Sequence, residues 1–158
     1  MGSRLNSDKA YIAGFLDGDG SIMLQLKKRS DTSRGYRFMA TICFYQDTRH
    51  EEPLFWIRKV LGIGYVSKRN DNISELRING FKQVRIILMQ LQPYIRFKIV
   101  QSEAMILACN ILERGVNKLS NKDLLKLADF ILVIQNENYK ASRKKTREEI
   151  LTLLNLTP

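Results

Sequence analysis

The stretch that most constrains this chain runs from residue 10 to residue 28, where one hydrophobic period gives way to another across two glycines. Tyr11, Ile12, Phe15 and Leu16 recur at helical spacing, and Gly18 and Gly20 halt that pattern. From Ser21 the period is two. Ile22, Leu24 and Leu26 share one face, with Ser21, Gln25, Lys27 and the apolar exception Met23 on the other. A helix therefore ends in the acidic turn Asp17-Gly18-Asp19-Gly20 and runs directly into a strand. Ser7 is the expected N-cap of that helix. Residues 1–6 then form an N-terminal extension, with Met1-Gly2-Ser3 read as an expression remnant.

The pattern repeats downstream. After a polar turn over 29–35, Tyr36, Phe38, Ala40, Ile42 and Phe44 alternate with Arg37, Thr41, Cys43 and Tyr45. Pro53 sits near the start of a helix carrying Leu54, Phe55, Ile57, Val60 and Leu61, which Gly62 and Gly64 end. A shorter hairpin is expected from 65–69 and 73–78. Helices are expected over 81–91, 96–114, 122–138 and 146–154, with Pro93 separating the first two. The order α-β-β-α-β-β-α followed by helices predicts an α+β fold: an antiparallel sheet with one face on helices and the other, basic face wet. We read 1–158 as a single domain, with a core over 7–138 and a basic segment and helix over 139–158.

Charge narrows the function. The chain has 26 Lys and Arg against 16 Asp and Glu, a net charge of +10, which favours a polyanionic partner. Cys43 and Cys109 lack the spacing of a zinc site or disulfide framework, and no apolar run has the length of a membrane span. The expected setting is intracellular, a prokaryotic cytoplasm or organelle stroma. An EF-hand beginning at Asp17 would require Gly at position 22 and Glu at 28, where the chain has Ile22 and Lys28. A phosphate-cradling loop lacks its Lys-Ser or Lys-Thr. His50, the one histidine, is too little for a histidine-based nuclease site.

The run Ile12-Ala13-Gly14-Phe15-Leu16-Asp17-Gly18-Asp19-Gly20 closely resembles the LAGLIDADG motif of the homing endonucleases, identical or mildly substituted at every position. Gly62-Ile63-Gly64-Tyr65-Val66, Leu91-Gln92-Pro93-Tyr94 and the element order resemble the single-motif, homodimeric members encoded in rRNA introns. One motif implies a homodimer on a roughly palindromic target. Ala13 and Gly14 are small enough to let two such helices approach, and Asp17 belongs to the same interface or braces the turn. Two Asp19 carboxylates brought together resist ionisation unless a cation lies beside them, and a hard divalent ion, Mg2+ or in its place Mn2+, resolves that conflict. The resemblance makes Asp19 a metal ligand with the Gly18 carbonyl as a second. It places Gln46 at a polar active-site position and Lys98 at an active-site lysine. His50 stands where relatives carry a basic residue, often Arg.

Double-stranded DNA is the expected partner. Gln25, Lys27, Arg29, Arg37, Thr41, Cys43, Tyr45, Ser67, Arg69, Glu75 and Arg77 are the expected DNA-facing residues of the hairpins. Lys140, Arg143, Lys144, Lys145 and Arg147 are expected on phosphates. A strand spanning roughly 27 Å covers about eight base pairs, which gives a target of about 20 base pairs for two half-sites and a centre. The resemblance implies a staggered double-strand break with 3′ overhangs. The alternatives on the same fold are a maturase that binds intron RNA and a non-cleaving DNA-binding regulator.

Overall fold

The computed structural model describes residues 2–139 and 143–157. In chain order the elements are α1 (Gly2–Asp19), β1 (Gly20–Lys28), β2 (Tyr36–Asp47), α2 (Glu52–Leu61), β3 (Tyr65–Lys68), β4 (Ile73–Asn79), α3 (Phe81–Leu91), α4 (Ile99–Leu112), α5 (Asn121–Glu137) and α6 (Arg147–Leu153). The strands form one antiparallel sheet in the order β1-β2-β4-β3. Its register fixes the two faces. Ile22, Leu24 and Leu26 lie beside Ile42, Ala40 and Phe38, while Phe44 and Ile42 lie beside Leu76 and Ile78; all are buried under the helices. The alternation in the sequence is the physical reason, because a strand with every second side chain apolar hides one face only.

Several boundaries moved. α1 begins by Gly2, so Ser7 lies inside the helix; nothing between Arg4 and Ser7 breaks a helix, and a Ser there costs only a fraction of a kcal/mol, roughly 0.5. The helix expected over 96–114 begins at Ile99, because Arg96 and Lys98 spend their backbone N–H groups on Asp17 instead. Thr146 is the N-cap of α6 and Ser120 that of α5, each in a reciprocal capping box. Gly20 permits the abrupt change from helix to strand: a Cβ there would meet the Leu16 backbone at 2.8 Å. Gly62 closes α2 in the left-handed conformation, φ 72°.

The C-terminal helices cover the core face. α5 is tied to β1 by the Asn138 side-chain amide, which donates to the Ile22 carbonyl at 3.0 Å. Gln135 holds the start of the last segment through both backbone groups of Lys145, at 3.1 and 3.2 Å. Among the described residues no helix is long and apolar enough to cross a membrane.

Candidate active site and nucleic-acid face

The last turn of α1 buries one of its two acidic residues and exposes the other. Asp17 is 9 % exposed, and its carboxylate accepts the backbone N–H of Arg96 at 2.6 Å and of Lys98 at 3.0 Å. The Lys98 ammonium returns to the same turn, donating to the Asp17 carbonyl at 2.5 Å. These three bonds clamp residues 96–98 against the end of α1 and bring a cation to the tip that carries Asp19. Asp19 itself is exposed, as is Gly18. The last carbonyls of a helix lack intrahelical donors and sit at the negative end of its dipole, so the Asp19 carboxylate and the Gly18 carbonyl together suit a hard cation. No cluster of three or more His, Cys, Asp or Glu able to hold a metal occurs among the described residues.

Gln46 arrives from the sheet. The β1–β2 ladder ends at Gly20 opposite Phe44, so Gln46, two residues further along β2, continues past the start of β1 on the same face as Phe44 and toward the tip of α1. Its side-chain oxygen accepts the Asp47 N–H at 2.8 Å. Asp47 then caps the short 3-10 turn Thr48–His50 and forms a two-point pair with Arg49, whose guanidinium holds the Asp47 carboxyl well below the usual carboxylate range. His50 is exposed. Gly18, Asp19 and Lys98 therefore meet at one turn of helix, and the register of β2 brings Gln46 to the same end of the sheet.

The opposite face of the sheet carries the residues expected to meet DNA. Gln25, Lys27, Arg37, Thr41, Cys43, Tyr45, Glu75, Arg77 and Ser67 all fall on it by register. Three of them do not reach the surface. Thr41 and Cys43 are fully buried because β2 is an inner strand overlaid by its neighbours; Thr41 spends its hydroxyl on the Asn79 side chain at 2.8 Å. Glu75, 7 % exposed, holds the Arg77 guanidinium from below at 3.0 Å. Burial pushes the Cys43 thiol up and the Tyr45 phenol up to about 12, so both stay neutral; the Tyr45 hydroxyl shares a hydrogen bond with Ser21 at 3.0 Å. Sequence reasoning overlooked Asn79 and Tyr65, which the period of two places on this same face once 75, 77 and 67 are on it.

Arg29 and Arg69 sit on the hairpin turns, each paired with an aspartate two residues on, Asp31 and Asp71. Arg143 and Lys144 are exposed and Lys145 is half-buried. Arg147 pairs with Asp129. Lys140 lies outside the described residues. The expected pairing face of α1 needs correction. Ala13 is completely buried and not available to a second copy, and Asp17 turns inward, which fits the bracing role expected for it rather than the interface role. The helix exposes Ser7, Tyr11, Gly14 and Gly18 instead, and a Cβ on Gly14 or Gly18 would meet nothing within 4 Å.

The LAGLIDADG endonuclease family model matches residues 12–101. The chain is 36% identical over 94 residues to the DNA endonuclease I-CvuI of Chlorella vulgaris, a stretch that spans 60% of this chain and 58% of that protein. It is 29% identical over 145 residues to the DNA endonuclease I-CreI of Chlamydomonas reinhardtii, covering 91% of this chain and 86% of that one. The crystal structure of I-CvuI in complex with its target in the presence of 2 mM Ca matches with a TM-score of 0.87 at 26% identity, over 98% of this chain and 99% of the other. I-CvuI in complex with the I-CreI target and 2 mM Mg, its DNA not cleaved, matches with a TM-score of 0.81 at 27% identity over the same shares. With the motif, the sheet and the gathered polar groups all inside the matched span, the chain belongs to the LAGLIDADG endonuclease family.

Proposed function

We propose that this protein is a site-specific homing endonuclease, acting as a homodimer that makes a staggered double-strand break in a roughly palindromic DNA target. The observation that carries the reading is the Lys98 ammonium bound to the last turn of α1, beside the exposed Asp19 and at the Gln46 end of a sheet whose other face bears Lys27, Arg37 and Arg77. The endonucleases I-CvuI and I-CreI support it, the former matched along nearly its whole length in complex with DNA.

Pairing uses the exposed face of α1, Tyr11, Gly14 and Gly18, so that each copy supplies one Asp19. Carboxylate and carbonyl oxygens fit a hard divalent ion, for which we propose Mg2+. Such an ion supplies Lewis-acid stabilisation at the reacting phosphodiester. The Lys98 ammonium, held at the Asp17 carbonyl, neutralises charge that builds on the phosphate. Gln46 offers an uncharged hydrogen-bonding group beside it. The sheet lies in the major groove, with Gln25, Lys27, Arg37 and Arg77 toward base edges and the exposed Arg143 and Lys144 on phosphates. The whole chain works as one domain in this reading, and its DNA target makes the setting intracellular.

The test is end-mapping of genomic DNA from the source organism after incubation with the protein and Mg2+, with Asp19→Asn as control. A single staggered break that requires Asp19 is the expected result. Tight binding without a break in the wild type would overturn the reading.

A further inference from the structure

Behind the segment that carries Gln46 and His50 lies a group of polar side chains that the proposed chemistry does not use. Ser74 opens the core-facing row of β4, followed by Leu76 and Ile78, and it is completely buried directly across from Gln46. A buried hydroxyl is costly unless it is paired. Its partners both come from the turn that follows β2: Ser74 donates to the Glu51 carboxylate, and its oxygen lies 3.1 Å from the Thr48 hydroxyl. The other Glu51 oxygen pairs with Lys68 of β3 at 3.3 Å. The Thr48 N–H is bound to the Asn72 carbonyl at 2.9 Å.

The turn Thr48–His50 has no buried residue of its own. Hydrogen bonds and the Glu51–Lys68 ion pair tie it to the β3–β4 hairpin. Gln46 precedes it, and Arg49 and His50, both exposed, ride on it. We propose that Ser74 and Glu51 are positioning residues for strand cleavage: together they latch the turn to the β3–β4 hairpin, so that Gln46 and His50 face the DNA in one fixed arrangement. This rests on the endonuclease reading above.

Two measurements test the latch. The first is single-turnover cleavage of the mapped target beside binding of the same duplex in Ca2+. Ser74→Ala is expected to slow cleavage about tenfold or more, because an ångström of misplacement is enough to do so, while affinity stays within about twofold. Glu51→Ala is expected to match it, and Ser74→Thr, which keeps the hydroxyl, to recover the rate. The second is the imidazole resonance of His50, readable without ambiguity because the chain has a single histidine. It is expected to shift or broaden in Ser74→Ala and Glu51→Ala and to return in Ser74→Thr. Wild-type cleavage by both alanine variants, equal losses of rate and affinity, or an unmoved His50 resonance would overturn the latch. Should Ser74→Ala fail to fold, Glu51→Ala, altered at a partly exposed position, decides. A wild type that cuts nothing would instead sink the endonuclease reading, and the His50 resonance would still decide the latch.

Discussion

The last turn of α1 and the uncovered face of the sheet organise polar groups in contrasting ways. At the helix tip the bracing is internal: the Asp17 carboxylate holds two backbone N–H groups from 79 and 81 residues away, and Lys98 is folded back onto the same turn. On the sheet and its turns the arginines take partners from their own strand or turn, as Arg29 does with Asp31, Arg69 with Asp71 and Arg77 with Glu75. Chemistry on a phosphodiester demands placement to within a fraction of an ångström, which buried long-range bonds supply. Affinity for a polyanion demands charge, which surface residues supply without precise placement. The two regions should therefore fail differently when damaged.

The largest expected difference comes from Asp19. Asp19→Asn should reduce cleavage by on the order of 10³-fold or more, while binding to the target in Ca2+ remains measurable. The paired variant Lys27→Ala/Arg37→Ala should do the reverse, weakening binding while the rate from the preformed complex holds. If both variants lost rate and affinity together, the division between tip and sheet would be wrong.

Asp17 probes the tip from the inside. Asp17→Ala leaves two N–H groups without their acceptor, at a cost of about 1–3 kcal/mol apiece when a buried donor is orphaned. We expect a loss of about 2–4 kcal/mol in urea denaturation, with slower cleavage as Lys98 loosens. Asp17→Asn, which keeps one acceptor oxygen, should fall between wild type and Ala. Equal stability of all three would mean that the clamp on 96–98 contributes little.

This clamp is also where sequence reasoning reached its limit. The strands were legible because a period of two declares itself within a few residues, and α3 was legible because Pro93 follows a long apolar period. Asp19, Gln46 and Lys98 could be nominated from the motif and the residues that follow it. Asp17 could be read as a brace of the turn, but its partners could not, since they are backbone groups of a segment whose own pattern reads as helix. Ala13 shows the same limit: a small residue suits a close helix pair equally well inside one chain or between two. Thr41 and Cys43 have the alternation of surface residues, yet an inner strand leaves them no surface, and strand order is written in no local pattern.

Within the sheet, Arg77 and the C-terminal cations separate specificity from charge. Arg77 is part-buried and its guanidinium rests on Glu75, so it is presented in one orientation. Arg77→Ala should relax the preference at one base-pair position in each half-site by about 1–3 kcal/mol, as read by binding to a randomised duplex pool. Arg143→Ala and Lys144→Ala should leave that preference untouched and lower the slope of log affinity against log salt by about 1 each. A changed base preference in the latter pair, or none in Arg77→Ala, would reverse their roles.

The smallest effect belongs to Tyr45, and it tests whether the sheet face is as open as its charge suggests. Burial lifts this phenol to about 12 despite the hydrogen bond it shares with Ser21, so the folded state favours its neutral form. A tyrosine raised in this way contributes stability that is fully present below its unfolded value of about 10 and is lost as the pH climbs through 12. Absorbance titration of the six tyrosines should show one late step that Tyr45→Phe removes. DNA affinity should show no break assignable to this residue between pH 7 and 10. A Tyr45 that titrates with the exposed phenols would mean that water reaches the floor of the sheet beside Cys43, and that the residues buried there by register are open to DNA after all.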